Sequence, residues 1–281
     1  MAERLSGAAV SQKIQTEISA ELQTWSHKNW INPKLSVILV GEDPASSVYV
    51  SHKEKMCQTL GYSSQIIRIS ADATEDQLVK TIEKLNEDQS VDGILVQLPL
   101  PKSMNERRVI ESISPGKDAD CLTEKNLGQI LTGRSLVIPC TPAGIIEILK
   151  FYKIKISGQN IAVIGRSLIV GIPLFHLLNK ENATVTLFHS KSENLKNQIK
   201  NFDIVCVAIG QAHYFSASDF KPGAVVIDVG IHRIDSKLTG DVNFSDDSNL
   251  LSYTPVPGGV GPMTIAMLMK NTLNLAAMRR K

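Results

Sequence analysis

Apolar and polar positions change period several times along the chain. Between residues 7 and 25, Val10, Ile14, Ile18, Leu22 and Trp25 recur every three or four positions, which predicts one buried helical face. LSVILV (35–40) is then a short β-branched run ended by Gly41, and SVYVSHKEKMCQTLG (47–61) reads as a helix that stops at glycine. QIIRI (65–69) predicts the next strand. Thr74 and Gln77 have capping-box spacing ahead of Leu78, Ile82 and Leu85, and GILVQ (93–97) gives a third strand closed by Pro99 and Pro101. Up to this point the order is β-α-β-α-β.

Helical segments are expected near 105–113 and 126–132, and PAGIIEILKFY (142–152) is a longer one with proline in its first turn. A second alternating series follows. IAVIG (161–165), TVTLF (184–188), DIVCVAI (203–209) and AVVIDVG (224–230) are short continuous apolar runs, the kind that crossover helices bury on both faces. A last helix over about 262–278 is introduced by PVPGGVGP. The two series share a period but no repeated sequence. The expected architecture is therefore α/β, two α/β lobes with a cleft between them. The first lobe is discontinuous, residues 1–138 and 262–281, and the second, Rossmann-like lobe spans 139–261.

Composition narrows the function. The 30 Lys and Arg against 28 Asp and Glu are spread along the chain, so no phosphate-backbone partner is indicated. Cys57, Cys121, Cys140 and Cys206 form no C-x-x-C pair and have no histidines at metal-ligand spacing, so free thiols and no metal are expected. MAERLSGAAVSQKIQ lacks the apolar stretch of a signal peptide, and no run approaches the roughly 18 apolar residues of a membrane span. The cytoplasm is the expected compartment.

The run IAVIGRSLIVGIP (161–173) has the form of a strand delivering glycine to a helix start, where amides and the helix dipole can receive a pyrophosphate. Only Gly165 and Gly171 of the usual three glycines are present, and the same junction also occurs in α/β proteins that bind nothing there. The strand TVTLF ends in His189, Ser190 and Lys191, where a site for NAD would carry a carboxylate. With Arg166 in the turn, these groups suit a 2′-phosphate and favour NADP, unless they are only a solvated loop.

In the first lobe Tyr49 and Lys53 share a helical face, and Gln97 ends a parallel strand. Lys53 as a base would need its pKa lowered by roughly two units, at a cost of about 3 kcal/mol. A lysine beside Glu54 and Lys55 on an amphipathic helix is as readily a solvated one. Asp118 and Asp120 in SPGKDADCL are placed to take paired hydrogen bonds from an amino-heterocycle, or to cap a helix.

YVSHKEKMCQTLGY, VQLPLP, KDADCL, PCTPAG, VIGRSLIVGIP, HSKS, KPGAVVIDVGI, LTGDVNF and TPVPGGVGPMTIAMLMKNTL, in that order, resemble the bifunctional bacterial type of the methylenetetrahydrofolate dehydrogenase/cyclohydrolase family, over about residues 5–278. The resemblance implies NADP-dependent oxidation of 5,10-methylenetetrahydrofolate to the methenyl cation, then hydrolysis to 10-formyltetrahydrofolate in the same cleft. It implies Lys53 as catalytic lysine with Gln97 and Tyr49, and Asp120 as the pterin anchor. It puts Pro257, Gly258 and Gly259 on the substrate side, and Gly165, Arg166, Ser167, Gly171, His189, Ser190 and Ile231 around NADP. A homodimer through the second lobe is also implied. Two positions depart from the family: Cys121 stands where glycine is usual, and His232 where asparagine is common. The rival readings are a shikimate-dehydrogenase-like NADP oxidoreductase, which lacks the VQLPLP and PGGVGP strings, and a non-catalytic folate or nucleotide binder.

Overall fold

The computed structural model describes residues 2–235 and 237–280. Two compact units make up the chain, one from the residues up to Lys13 with Thr141–Thr264, the other from Ile14–Cys140 with the residues from Ile265 onward. The first thirteen residues thus go with the second series of strands, where the sequence pattern had put them in the first lobe. The cause is backbone pairing: β1 (Glu3–Arg4) adds in parallel to a strand at Ser252–Tyr253. Two residues are too few to leave a periodic signal. The helix that follows, α1 (Gly7–His27), begins in one unit and ends in the other.

The unit containing Ile14–Cys140 is built on β2 (Lys34–Val40), α2 (Pro44–Leu60), β3 (Ser63–Ile69), α3 (Glu75–Glu87), β4 (Gly93–Val96), α4 (Glu106–Glu111) and α5 (Glu124–Thr132). The three strands form a parallel sheet in the order β3-β2-β4. Helix α3 shows how sequence sets an element. Thr74 and Gln77 close the expected capping box, and Leu78, Ile82 and Leu85 turn to one side. There they join Ile38, Val40, Ile94, Val96, Val109 and Ile110 in a core on one face of the sheet. Helix α2 starts three residues earlier than its pattern suggested, because the Asp43 carboxylate accepts from the Ser46 amide at 2.7 Å and Pro44 fits the first turn.

The other unit contains α6 (Cys140–Phe151), β5 (Asn160–Ile164), α7 (Gly171–Lys180), β6 (Thr184–Phe188), α8 (Leu195–Gln198), β7 (Ile204–Val207), β8 (Phe215–Ser216), β9 (Val225–Asp228), the hairpin β10 (His232–Ile234) and β11 (Lys237–Thr239), β12 (Val242–Asn243) and β13 (Ser252–Tyr253). Its main sheet is parallel throughout, in the order β1-β13-β9-β7-β5-β6. The chain leaves β5 for β6 on one side and returns to β7 on the other. The carboxyl ends of β5 and β7 therefore flank a topological switch point, where open α/β sheets bind ligands. Helix α9 (Val260–Arg280) closes the chain.

Candidate active site and nucleotide crevice

Burial separates the two readings left open for Lys53. On α2 it shares a buried face with Ser46, Val50, Cys57 and Leu60 and is only 7% exposed, whereas Lys55 lies in solvent. Its Nζ donates to Gln97 Oε1 at 2.7 Å. Gln97 is held for this contact from both ends: its amide donates to Ile38 O at 2.8 Å, and its Nε2 to Leu98 O at 2.6 Å. Burial lowers the Lys53 pKa, while the nearby Asp120 and Cys140 oppose the shift. Asp120 is raised by burial, with Lys53 pulling the other way. Tyr49, one turn before Lys53, is raised by burial.

The two aspartates of KDADC divide their work. Asp118 is 1% exposed and accepts from the Leu122 and Thr123 amides, the Thr123 hydroxyl and Asn126 Nδ2 at 2.8–3.1 Å, which makes it the anchor for the start of α5. Lys117 donates to the carbonyls of Leu85, Asn86 and Asp88 at 2.7–2.8 Å, tying the loop to the end of α3. With its neighbours spent on the fold, Asp120 is the carboxylate that faces Lys53. Cys121 takes the left-handed conformation itself, φ +58°, so the loop keeps the form a glycine would allow at a cost of about 1–2 kcal/mol.

Sequence reasoning passed over two residues here. Cys140 Sγ donates to Ala119 O at 3.7 Å, at the base of the Asp120 loop. Asn271 of α9 donates to the carbonyls of Ala119 and Ile138 at 2.9 and 2.8 Å, joining the Asp120 loop to the segment before Cys140. The signal for Cys140 was present in PCTPAG, but a buried thiol that meets a loop carbonyl 21 residues away has no recognisable spacing.

At the switch point Gly165 has φ +120°, and a Cβ there would lie 2.2 Å from Ala208 O, the residue after β7. A Cβ on Gly171 would lie 1.9 Å from Gly165 O. The two glycines that survive from the usual three are those that let strand, turn and helix close on one another. Ser167 Oγ accepts from the Val170 amide at 3.2 Å, closing the turn before α7. Arg166, Ser190 and Lys191 are exposed, and no ion pair engages Arg166 or Lys191 among the described residues. His189 Nδ1 accepts from the Lys191 amide at 3.2 Å.

Ile231 is 42% exposed, and His232 Nε2 meets Asp241 Oδ1 at 2.7 Å. In PVPGGVGP, Pro257 follows a cis peptide bond and Gly258 O accepts from the Gly7 and Ala8 amides. A Cβ on Gly259 would lie 2.5 Å from Pro255 O, so the chain itself accounts for that glycine.

A buried Lys–Gln pair beside a carboxylate, on a chain that also carries a parallel sheet with a glycine turn at its switch point, defines an α/β enzyme of the nucleotide-dependent dehydrogenase class. Residues 5–120 match the catalytic domain of tetrahydrofolate dehydrogenase/cyclohydrolase, and residues 139–280 match its NAD(P)-binding domain. The chain is 49% identical to the bifunctional protein FolD of Thermodesulfovibrio yellowstonii over 100% of its own length and 98% of that protein's. The FolD crystal structure from Campylobacter jejuni superposes with a TM-score of 0.95 at 40% identity, covering 99% of this chain and 100% of that one. The Trypanosoma brucei enzyme, solved with NADP cofactor and inhibitor, gives 0.93 at 36% identity, covering 99% and 98%. The chain belongs to the tetrahydrofolate dehydrogenase/cyclohydrolase family, and its activities are those of methylenetetrahydrofolate dehydrogenase and methenyltetrahydrofolate cyclohydrolase. Shikimate dehydrogenase from Thermus thermophilus shares the fold alone, at 13% identity and a TM-score of 0.54.

Proposed function

We propose that Lys53, Gln97, Tyr49 and Asp120 carry the folate chemistry, and that NADP is the hydride acceptor. The observation that carries the reading is the 2.7 Å contact between a buried lysine and Gln97 beside the Asp120 carboxylate. The residues around the glycine turn suit NADP. Gly165 and Gly171 let the turn close tightly and Ser167 closes it before α7, so that the start of α7 can receive a pyrophosphate, Arg166 adds positive charge, and His189, Ser190 and Lys191 suit a 2′-phosphate where a carboxylate would repel it. Ile231 and His232 then border the nicotinamide end. When bound, NADP takes the hydride from the methylene carbon.

That first step needs positioned rings more than an acid or base, because the adjacent nitrogen lone pair pushes the hydride out. Asp120 takes paired hydrogen bonds from the pterin, and Tyr49 offers a ring face. Pro257, Gly258 and Gly259 are assigned to the same substrate. Hydrolysis is different, since water attacking the methenyl carbon must lose a proton and the departing ring nitrogen must gain one. Neutral Lys53 accepts the first and returns it to the ring nitrogen, the remaining hydroxyl proton leaves to solvent as the formyl carbonyl forms, and Gln97 Oε1 holds the amine in place throughout. Burial favours the neutral amine, and the cationic substrate favours it further.

The test is a spectrophotometric assay with NADP and NAD in parallel, applied to the parent and to Lys53→Met. Methenyl hydrolysis should fall about 10²- to 10⁴-fold in the variant. Hydrolysis at the parent rate would remove lysine from the mechanism, and a clear NAD preference would overturn the reading of His189, Ser190 and Lys191. A cytoplasmic homodimer formed through the nucleotide-binding unit belongs to the same proposal. Ile234 and Leu238, 44% and 37% exposed on the β10–β11 hairpin, support it, and light scattering checks it.

A further inference from the structure

Asp241 lies at the end of the turn between β11 and β12, is fully buried, and touches none of the residues assigned above to the pyrophosphate or 2′-phosphate. Its Oδ2 accepts from the amides of Ile209 and Gly210 at 2.8 and 3.1 Å, and its Oδ1 from the Gln211 amide at 2.9 Å and His232 Nε2 at 2.7 Å. Four donors occupy both oxygens, which is close to the acceptor capacity of an ionised carboxylate. Nothing is left with which to hold a ligand. The donors, however, all lie on two segments at the carboxyl side of the sheet, the loop after β7 and the start of β10. Residues 209–211 leave β7 immediately after Ala208, the residue packed on Gly165, and His232 follows Ile231 after β9.

The carboxylate is itself fixed. Its own amide and that of Val242 donate to Asp228 at 3.0 and 2.9 Å, and a Cβ on Gly230 would lie 2.4 Å from Asp241 Oδ1. Backbone amides turned toward Asp241 cannot also face a phosphate, so this side of the crevice presents carbonyls and side chains. We propose that Asp241, with His232 as its side-chain donor, is a positioning residue that sets the affinity for NADP by holding the 209–211 loop and the 231–232 segment that opens β10. The inference rests on the nucleotide reading above. It goes beyond it by giving His232 a role: the imidazole keeps the donor that the common asparagine would supply through its amide.

The experiment uses the full-length enzyme. Asp241→Asn keeps the shape but turns one oxygen into a donor facing amide donors. Its KM for NADP should rise about tenfold, with kcat at saturating NADP and methenyl hydrolysis without nucleotide each within about twofold of the parent. His232→Leu should raise the same KM, and His232→Asn should restore it. An unchanged KM in folded Asp241→Asn, an equal loss of both activities, or a His232→Asn variant no better than His232→Leu would each overturn the proposal. If Asp241→Asn does not fold, the two His232 variants decide alone. NADPH fluorescence titration of the parent separates the two layers, since a parent that binds no NADPH fails the nucleotide reading first.

Discussion

Replacing Gly165 by alanine is the sharpest perturbation of the nucleotide turn, because two costs can be worked separately. At φ +120° an alanine is strained by about 1–3 kcal/mol whatever its surroundings. Its Cβ would also lie 2.2 Å from Ala208 O and 3.0 Å from Ala208 C. Neither side yields easily. The Gly165 amide donates to Phe188 O at 2.9 Å, the Ala208 amide donates to Ile164 O at 2.8 Å, and β5 is paired with both β6 and β7. Forcing the two backbones apart adds about 1–3 kcal/mol, by analogy with overpacked cores. The total, about 2–6 kcal/mol, should lower the melting temperature by about 10 °C. Gly158 supplies the control, with φ +75° and open space around its Cβ, so its alanine variant should show the conformational cost alone. Scanning calorimetry of both variants measures the melting points, and NADPH titration the affinity. A Gly165→Ala enzyme melting within about 2 °C of the parent, with unchanged NADPH affinity, would refute the claim that this turn requires glycine.

Asp120 opposes the lowering of the Lys53 pKa, so Asp120→Asn should move the acidic limb of the hydrolysis profile to lower pH while raising KM for folate. A pH–rate series of kcat/KM reads both. Burial raises Asp228 to about 6 despite three amide donors, so the folded state holds its proton more tightly than the unfolded chain. Its contribution to stability is then fully present below about pH 4 and lost as pH rises through about 6, an amplitude of about 3 kcal/mol. Asp228→Asn should flatten that decline, whatever its baseline stability, in denaturant melts between these values.

Several features were readable before any tertiary structure. The Thr74–Gln77 capping box, the glycine stop after α2 and the buried strands β2, β5, β7 and β9 are local, and short-range chemistry decides them, whereas β6, expected to be buried on both faces, lies at the sheet edge with only Phe188 buried. Tyr49, Lys53 and Gln97 could be singled out, but not how they stand. Lys53 is buried because Ser46, Val50, Cys57 and Leu60 share its face, whereas its neighbours in sequence, Glu54 and Lys55, suggested solvent. Asp118 and Asp120 looked alike in KDADC, and only the partners of Asp118 at the start of α5 set them apart.

What sequence alone determined about this protein is its elements, its two α/β series and, through motifs spread along the whole chain, its family. Tertiary structure decided the rest. The two-residue strands β1 and β13 exist only because a growing parallel sheet supplies their partners, and this moves the first thirteen residues into the nucleotide-binding unit. Cys140 and Asn271 meet the Asp120 loop from 21 and 152 positions away, and Asp241 collects amides some 30 residues upstream. Such contacts have no period or spacing in the chain. They arise when burial removes water from a polar group and leaves it to find its hydrogen bonds among whatever the fold has brought near.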